Sequence, residues 1–288
     1  MDPIIRTEKL THTYGEGTPF MMTAIRGVDF EARKGEFIGI IGRTGSGKST
    51  LIQHLNGLFA PTSGKVFFDG RDIFESKEIT RAVRFKVGLV FQYPEYQLFE
   101  ETVRKDIAFG PKNMGLSEAE ISERVLEAAG FVKLSPELLD KSPFELSGGE
   151  KRRVAIAGVI AMMPEVLILD EPTAGLDPRG CDEILDNILS YHEATGATVI
   201  MVSHSMKEIA SCVKRMVVMS DGEIVMDGTP SEIFSRAKEL TEIGMSVPPV
   251  TKIALKLREL GVPVDGTVFT TEQAVEAICA LKGGNRDA

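Results

Sequence analysis

The segment GRTGSGKST, at residues 42–50, lies between an apolar run and a helical pattern. The letters before it, EFIGIIG, are apolar and β-branched, which is typical of a buried strand. The letters after it, TLIQHLNGL, place Leu51, Leu55 and Leu58 at helical spacing. The glycines therefore lie on a strand-to-helix turn, where backbone N–H groups and the helix N-terminus can surround an anion.

The polar residues of this turn fit the P-loop pattern, in which two glycines separated by four residues precede a lysine and a hydroxyl residue. Lys48 can reach terminal phosphates, and the Ser49 hydroxyl can bind Mg²⁺. The pattern therefore predicts a nucleoside triphosphate site. Its predicted contact residues are Gly42, Arg43, Thr44, Gly45, Ser46, Gly47, Lys48, Ser49 and Thr50.

Composition excludes several other classes of protein. The chain has 288 residues, 43% of them hydrophobic and 26% charged, which fits a soluble globular protein of one large or two ordinary domains. A formal net charge of −9 argues against nucleic acid as the main partner. The longest apolar run, residues 154–163, is too short to span a membrane. Scattered cysteines and an N-terminus without the order of a signal peptide lead us to expect a cytosolic chain.

The order of the remaining patterns predicts an α/β sheet of buried parallel strands joined by helices. Strand patterns include VGLVFQ, EVLILDE and ATVIMVSH, and a hairpin is predicted around Asp221-Gly222. A helical pattern runs from about Leu116 to Met163, with Gly130 as a predicted helix C-cap. A further helix is predicted from about Pro178 to Tyr191.

Two carboxylates follow the apolar strand pattern of VLILDEPT. Beside a P-loop, Asp170 can hold Mg²⁺, usually through water, and Glu171 can orient and deprotonate an attacking water. The other interpretation is a pair of solvated acids that end a strand.

A second anion site is predicted at LSGGE, residues 146–150, where Ser147 and two glycines precede a long helical pattern. Alone, this would be an ordinary helix cap. Combined with the P-loop, Ser147, Gly148 and Gly149 resemble the signature motif of ABC-type ATPases. In that family two subunits pack head to tail, and each ATP lies between one subunit's P-loop and the other's signature loop. Glu150 departs from the glutamine of many members, which leaves the fine tuning of the interface open.

Other motifs of the family match by position. Gln92 resembles the glutamine that contacts Mg²⁺ and the attacking water, and His204 resembles the histidine that touches the γ-phosphate. Asp177, in AGLD, resembles the D-loop aspartate near the partner subunit. Tyr14 resembles the aromatic residue that stacks on adenine, with Phe20 as the second candidate. The other histidines match no motif: His12, His54 and His192.

The resemblance covers about residues 4–230 and is strongest to the ATPase subunits of energy-coupling factor transporters, on VFQYPEYQLFEETVRKDIAFGPKNMGL and ELSGGEKRRVAIAGVIAMMPEVLILDEPTAGLDPRG. GRTGSGKSTLIQHLNGLFAPTSGKV is similar to the second, CbiO-like, of the paired ATPases. The resemblance implies an ATP- and Mg²⁺-dependent ATPase at the cytoplasmic face of the cell membrane. The resemblance further implies import of a vitamin or metal ion. The partners would be a second ATPase subunit, a transmembrane coupling subunit and a substrate-binding membrane subunit. This chain would contact the membrane only through these partners.

The same resemblance implies a P-loop cassette with a RecA-like mixed sheet core, a β subdomain and an α-helical subdomain at about residues 93–165. The expected domains are the nucleotide-binding domain, residues 1–230, and a C-terminal helical extension, residues 231–288, which holds ATPase dimers together in this family. In the extension, Ile253, Leu257 and Leu260 share one predicted helical face that ends at Gly261 and Pro263, and a capping box is predicted at Thr270 and Gln273.

An aromatic segment follows Gln92, with Tyr93, Tyr96, Leu98 and Phe99 among acidic residues. It predicts either a small satellite core or a groove for a helix of the membrane partner, with Glu95, Glu100 and Glu101 at its rim.

Other P-loop classes fit less well. No N-K-x-D motif for guanine, no heptad run between Lys48 and Asp170 and no second cassette is present. Two alternatives stay open at this point: an ABC ATPase that serves a soluble assembly such as iron–sulfur cluster building, and a non-hydrolysing cassette. The second is disfavoured because Glu171, Gln92 and His204 are all in place.

Overall fold

The structure, a computed structural model, describes residues 2–264, 268–269 and 271–283. Its strands are β1 Pro3–Tyr14, β2 Met22–Arg33, β3 Phe37–Gly42, β4 Ser63–Phe68, β5 Arg71–Asp72, β6 Val87–Val90, β7 Val166–Asp170, β8 Thr198–Val202, β9 Arg215–Ser220 and β10 Glu223–Gly228. Its helices are α1 Lys48–Leu55, α2 Lys77–Lys86, α3 Val103–Asn113, α4 Glu118–Phe131, α5 Gly148–Ile160, α6 Pro178–Thr195, α7 Met206–Cys212, α8 Pro230–Ser235, α9 Ala237–Glu242, α10 Pro249–Glu259 and α11 Thr271–Gly283.

A six-stranded sheet forms the centre of the fold, in the order β10-β9-β3-β8-β7-β6. Its strands pair in parallel except β10, and β3, β6, β7 and β8 are buried along their whole length. Strands covered on both faces need continuous apolar sequence, which is why these segments read as unbroken apolar runs. β10 returns antiparallel through Asp221 and Gly222, whose φ angles of 50° and 85° fit a two-residue hairpin turn. The predicted parallel sheet and hairpin are both confirmed.

A second, four-stranded sheet is antiparallel, in the order β2-β1-β4-β5. One hydrophobic core joins this sheet to one face of the central sheet and to α1, whose Leu51, Ile52 and Leu55 are buried there. Leu58 lies beyond the end of α1 and is partly exposed, so its predicted place in the helix is wrong. The larger core covers the other face of the central sheet and includes residues of α3 to α6.

The helical segment corrects two predicted helix ends. Gly130 lies inside α4, because the helix continues until Val132 is buried in the larger core. Lys133 takes the left-handed conformation instead, with φ 51°, and its N–H bonds to the Gly130 carbonyl at 3.0 Å. α6 continues four residues beyond Tyr191 and ends before Gly196, with φ 66°.

The C-terminal region packs in two ways. α8 and α9 bury Phe234 and Leu240 in the larger core, whereas α10 contributes Ala254 to a small separate core with Val264 and Val268. No helix among the described residues has the length and hydropathy to cross a membrane.

The helical face predicted in the C-terminal extension is only partly buried. Leu257 packs on the small core, but Ile253 and Leu260 are 58% and 71% exposed. α10 ends at Glu259, before Gly261, as predicted. The predicted capping box lies outside the described residues, because Thr270 is not among them.

Candidate functional site

The glycine-rich turn connects β3 directly to α1. Gly42 and Gly47 have φ angles of 159° and 99°, and neighbouring backbone crowds both positions. A Cβ at Gly42 would lie 2.4 Å from the Met219 carbonyl oxygen, and one at Gly47 would lie 2.5 Å from that of Ala24. These two positions need glycine because the backbone of β2 and β9 lies too close to the turn to leave room for a Cβ.

Lys48 is 5% exposed at the first position of α1. Its Nζ donates to the carbonyl oxygens of Gly42, at 2.7 Å, and Arg43, at 3.0 Å. Burial lowers the pKa of Lys48, while the carboxylates of Glu171 and Asp170 oppose that shift. The cation is thus held directly over the turn.

Three residues that follow neighbouring strands meet beside this lysine. His204 Nε2 lies 2.6 Å from Glu171 Oε1, and Gln92 Nε2 donates to Glu171 Oε2 at 3.2 Å. Gln92, Glu171 and His204 follow β6, β7 and β8, whose carboxyl ends lie at one edge of the parallel sheet. Glu171 has φ 50°, and its N–H donates to the Val202 carbonyl at 2.9 Å. A non-glycine residue held in this conformation is a frequent feature of functional sites.

The two carboxylates differ in environment. Asp170 is buried at the end of β7, and burial raises its pKa, opposed by a hydrogen bond from Ser49 and by the charge of Lys48. Burial also raises the pKa of Glu171, which His204 opposes and the Asp170 charge reinforces. A carboxylate with a raised pKa accepts a proton more readily, which suits Glu171 to general-base chemistry.

The LSGGE segment forms an exposed cap on α5. Ser147 Oγ accepts from the Glu150 N–H at 3.3 Å, and Glu150 Oε2 accepts from the Ser147 N–H at 2.8 Å. This capping box uses glutamate or glutamine alike, so Glu150 preserves the helix start. A Cβ on Gly148 or Gly149 would meet nothing within 4 Å. Packing within the described residues therefore does not require glycine at either position.

The two other predicted nucleotide contacts are placed on different elements. Asp177 caps α6 and accepts from the Gly180 N–H at 2.7 Å. Tyr14 ends β1, and its hydroxyl lies 3.2 Å from Thr50 Oγ1 on the first turn of α1. Phe20, the second candidate, is 87% exposed in the β1–β2 connection.

The aromatic segment after Gln92 borders a groove of about 320 Å³. Its apolar lining includes Leu98, Phe99, Phe109, Val154 and Met162. The rings of Phe99 and Phe109 contact edge to face at 5.0 Å, and both are largely exposed, as is Tyr96.

The predicted acidic rim of this groove is partly wrong. Glu95 is paired with Arg152, at 2.6 Å and 3.0 Å, and so is not free at the surface. Sequence reasoning also missed Arg152, which is 2% exposed. A signal was present, because Arg152 is spaced four residues from Ile156 and eight from Ile160 on the buried face of α5.

Comparison with known proteins places this geometry in a family. A model of the ABC transporter family matches residues 25–174, more than half of the chain. The chain belongs to the ABC transporter family. A model of an AAA domain also matches residues 140–210, within the same α/β fold.

Relatives within this family refine the match. The energy-coupling factor transporter ATP-binding protein EcfA2 of Caldanaerobacter subterraneus is 54% identical over 283 residues, which cover 98% of this chain and 99% of that protein. The solved structure of cbiO1 from Clostridium perfringens, part of the ABC transporter complex cbiONQ, has a TM-score of 0.75 at 38% identity and covers 91% of this chain and 98% of its own. The ATP-binding cassette MJ0796 was solved as a post-hydrolysis dimer with ADP and Pi. It has a TM-score of 0.71 at 28% identity, and the match covers 78% of this chain and 98% of that cassette. These matches confirm the predicted ABC ATPase fold and the resemblance to energy-coupling factor ATPases.

Proposed function

We propose that this chain is the ATP-binding and ATP-hydrolysing subunit of an energy-coupling factor importer, and that it drives uptake of a vitamin or metal ion through membrane partner subunits. The observation that carries the proposal is the convergence of Gln92, Glu171 and His204 beside the buried Lys48. A cassette without hydrolysis would not need a carboxylate of raised pKa in contact with both other polar groups. The alternative function, an ABC ATPase that serves a soluble assembly, is not favoured. The EcfA2 protein of Caldanaerobacter subterraneus, which matches along nearly the whole chain, is named as a transporter subunit.

The chemistry follows from the positions of the side chains. Backbone N–H groups of residues 43–48 and the Lys48 ammonium bind the phosphates of ATP. Glu171 accepts a proton from the water that attacks the γ-phosphate, while Gln92 and His204 orient the reacting groups. The left-handed backbone of Glu171, fixed by the bond to Val202, holds the carboxylate at this edge of the sheet.

The residues present also fit Mg²⁺. Ser49, Asp170 and Gln92 offer oxygen atoms, which are the donors that Mg²⁺ prefers, and Ser49 is hydrogen-bonded to Asp170. Among the described residues, no group of three or more histidine, cysteine, aspartate or glutamate side chains forms a metal site. This suits Mg²⁺, which is usually held by one or two carboxylates together with substrate phosphates. Ser49, Asp170 and Gln92 would hold the ion, which would supply positive charge to balance that of the bound phosphates.

The signature loop would complete the site of a second ATPase subunit. Ser147 and Gly148 are exposed, and the space around Gly148 and Gly149 is open to an incoming phosphate. The N-terminus of α5 adds a favourable dipole. Asp177, at the start of α6, would lie near the same partner.

The groove beside Gln92 would accept a helix of the membrane coupling subunit, with apolar anchors inside. Its position supports this use, because Gln92 contacts Glu171 at one end of the segment and Phe99 lines the groove at the other. Of the other predicted rim acids, Glu101 is exposed and paired with Lys105, and Glu100 is half-buried. The chain would thus lie at the cytoplasmic face of the membrane and contact it only through its partners, including the substrate-binding membrane subunit.

The C-terminal extension supplies a further surface for the second ATPase. Four apolar side chains are exposed here: Ile253 on α10, Leu260 just after it, and Val275 and Ile278 on α11. We assign this region, within residues 231–288, to dimerisation, since exposed apolar side chains grouped in one region are typical of contact surfaces.

Purification of the tagged chain from membranes tests this function. We expect a second ATPase subunit and two membrane subunits to co-purify in defined ratios. Recovery with soluble assembly proteins alone, and no membrane subunit, would contradict the transport function.

A further inference from the structure

Four residues near the P-loop form a closed ring of contacts between β1 and α1, in which Thr50 takes part with both its hydroxyl and its backbone carbonyl. Tyr14 OH lies 3.2 Å from Thr50 Oγ1, and the Thr50 carbonyl oxygen lies 2.7 Å from His54 Nδ1. His54 Nε2 lies 3.1 Å from His12 Nδ1. The His12 ring then meets Tyr14 edge to face, with ring centroids 4.5 Å apart. The ring thus ties the last residue of β1 to the first turn of the P-loop helix.

The hydrogen bonds of this ring have a fixed direction. A carbonyl oxygen only accepts, so His54 Nδ1 carries a proton and donates to Thr50. Burial lowers the pKa of His54, opposed by the carbonyls of Thr50 and Ala60 and reinforced by His12, which favours the neutral ring. Its Nε2 therefore has a lone pair, which accepts from the Nδ1–H of His12. Since His54 is fully buried, loss of this donor would leave an unpaired acceptor.

Packing holds His12 in the donating position. Phe59, in the segment after α1, stacks on His12 with centroids 5.6 Å apart and planes 7° from parallel. The Phe59 ring also meets Tyr14 edge to face, with centroids 6.1 Å apart. The place of the Tyr14 ring relative to the phosphate loop is therefore set by Thr50 and by the stacked pair of His12 and Phe59.

We propose that His12 and His54 are positioning residues that hold Tyr14 at the nucleotide base and thereby determine how tightly the adenine of ATP is bound. The proposal rests on the proposed ATPase function and on the family resemblance that assigns Tyr14 as the residue that stacks on adenine. Of the predicted phosphate contacts, only Thr50 belongs to this ring of contacts, and residues 42–49 lie outside it. The histidine pair should therefore affect the affinity for ATP and not the affinity for a phosphate chain that lacks a base.

The test compares two variants of His12, which is only half buried. His12→Phe keeps the ring stack on Phe59 but removes the donor to His54. His12→Asn removes the ring but can place an amide N–H where Nδ1 lies. Titration calorimetry of the full-length chain would measure the affinities for ATP and for inorganic tripolyphosphate, both with Mg²⁺. Tyr14→Ala and the double variant His12→Phe/Tyr14→Ala complete the set.

We expect His12→Phe to weaken ATP binding about fivefold, the scale of one net hydrogen bond, and to change tripolyphosphate affinity by less than about twofold. His12→Asn should restore ATP affinity to within about twofold of wild type, because the hydrogen bond carries the effect. In the Tyr14→Ala background, His12→Phe should add no further loss. Should His12→Phe not fold, His12→Leu, which also removes the donor to His54, should show the same loss restricted to ATP.

Three results would overturn the proposal. Equal losses for ATP and tripolyphosphate would show that His12 supports the whole loop and does not act through Tyr14. Unchanged ATP affinity in His12→Phe, with weakened binding in Tyr14→Ala, would refute the positioning role and leave the proposed function intact. Unchanged ATP affinity in Tyr14→Ala would refute the adenine assignment itself.

Discussion

Replacement of Arg152 by methionine should destabilise the fold strongly, because this arginine joins three segments of the site. Its Nε and Nη2 donate to the two oxygens of Glu95, at 3.0 Å and 2.6 Å. Its Nη1 donates to the carbonyl oxygens of Pro172, at 3.2 Å, and Ala174, at 2.6 Å. The side chain thus connects the α5 signature helix to the segment after Gln92 and to the segment after Glu171.

The magnitude follows from what Arg152→Met leaves behind. The Glu95 carboxylate, whose side chain is mostly buried, loses its cation, and two carbonyls lose a donor. Removal of one member of a buried ion pair costs about 3–5 kcal/mol. The double variant Arg152→Met/Glu95→Leu should recover part of this loss, because it no longer buries an unpaired charge.

Denaturant unfolding of the full-length chain measures the effect. Arg104→Met is the matched control, because Arg104 forms an exposed pair with Asp140 and its loss should cost less than about 1 kcal/mol. If Arg152→Met changed the free energy of unfolding no more than Arg104→Met does, the ion pair would have no role in joining these segments.

Three further predictions concern the nucleotide site and its partners. Ser147→Arg should leave ATP binding by the free subunit nearly intact but abolish ATP-dependent dimerisation, measured on a sizing column. Mixing this variant with Lys48→Ala should restore one composite site and with it dimerisation. No rescue in a confirmed mixed dimer would refute head-to-tail packing. Phe99→Ala should weaken docking of the membrane subunit by about 2 kcal/mol without lowering the melting temperature, whereas lower stability with unchanged docking would show that Phe99 belongs to the core. Because burial raises the pKa of Glu171, ATPase activity should fall with decreasing pH already above the ordinary glutamate range near about 4.3, as the base becomes protonated; a pH–rate profile whose acidic limb lies at or below that range would contradict this.

Local sequence patterns predicted the elements whose structure depends on near neighbours. The turn from β3 to α1, the buried strand before Asp170 and the Asp221-Gly222 hairpin each follow from apolar runs and glycine placement over fewer than ten residues. The meeting of Gln92, Glu171 and His204 could also be anticipated, since parallel strands bring their carboxyl ends to one edge.

Contacts between distant segments were beyond these patterns. Glu95 and Arg152 are 57 positions apart, so no local pattern shows that they form a pair. The prediction that Glu95 lies unpaired at the rim of the groove is therefore wrong. His12 and His54 are 42 positions apart and match no motif, so their pairing needed the structure. Glycine is common at helix ends and the pattern therefore predicts one at Gly130, but burial of Val132 extends α4 past it. In each case tertiary packing decided the outcome.

Turnover and ATP affinity of Glu171→Gln test the central claim most directly, which is that Glu171 is the base for ATP hydrolysis at this site. The amide keeps the shape of the side chain but cannot accept a proton, so we expect turnover at least about 10²-fold lower, with ATP affinity retained and an ATP-bound dimer accumulating. Glu165→Gln, just before the opposite end of β7 and paired at the surface with Lys86, is the control and should keep wild-type turnover. Near-normal turnover in Glu171→Gln would contradict the account.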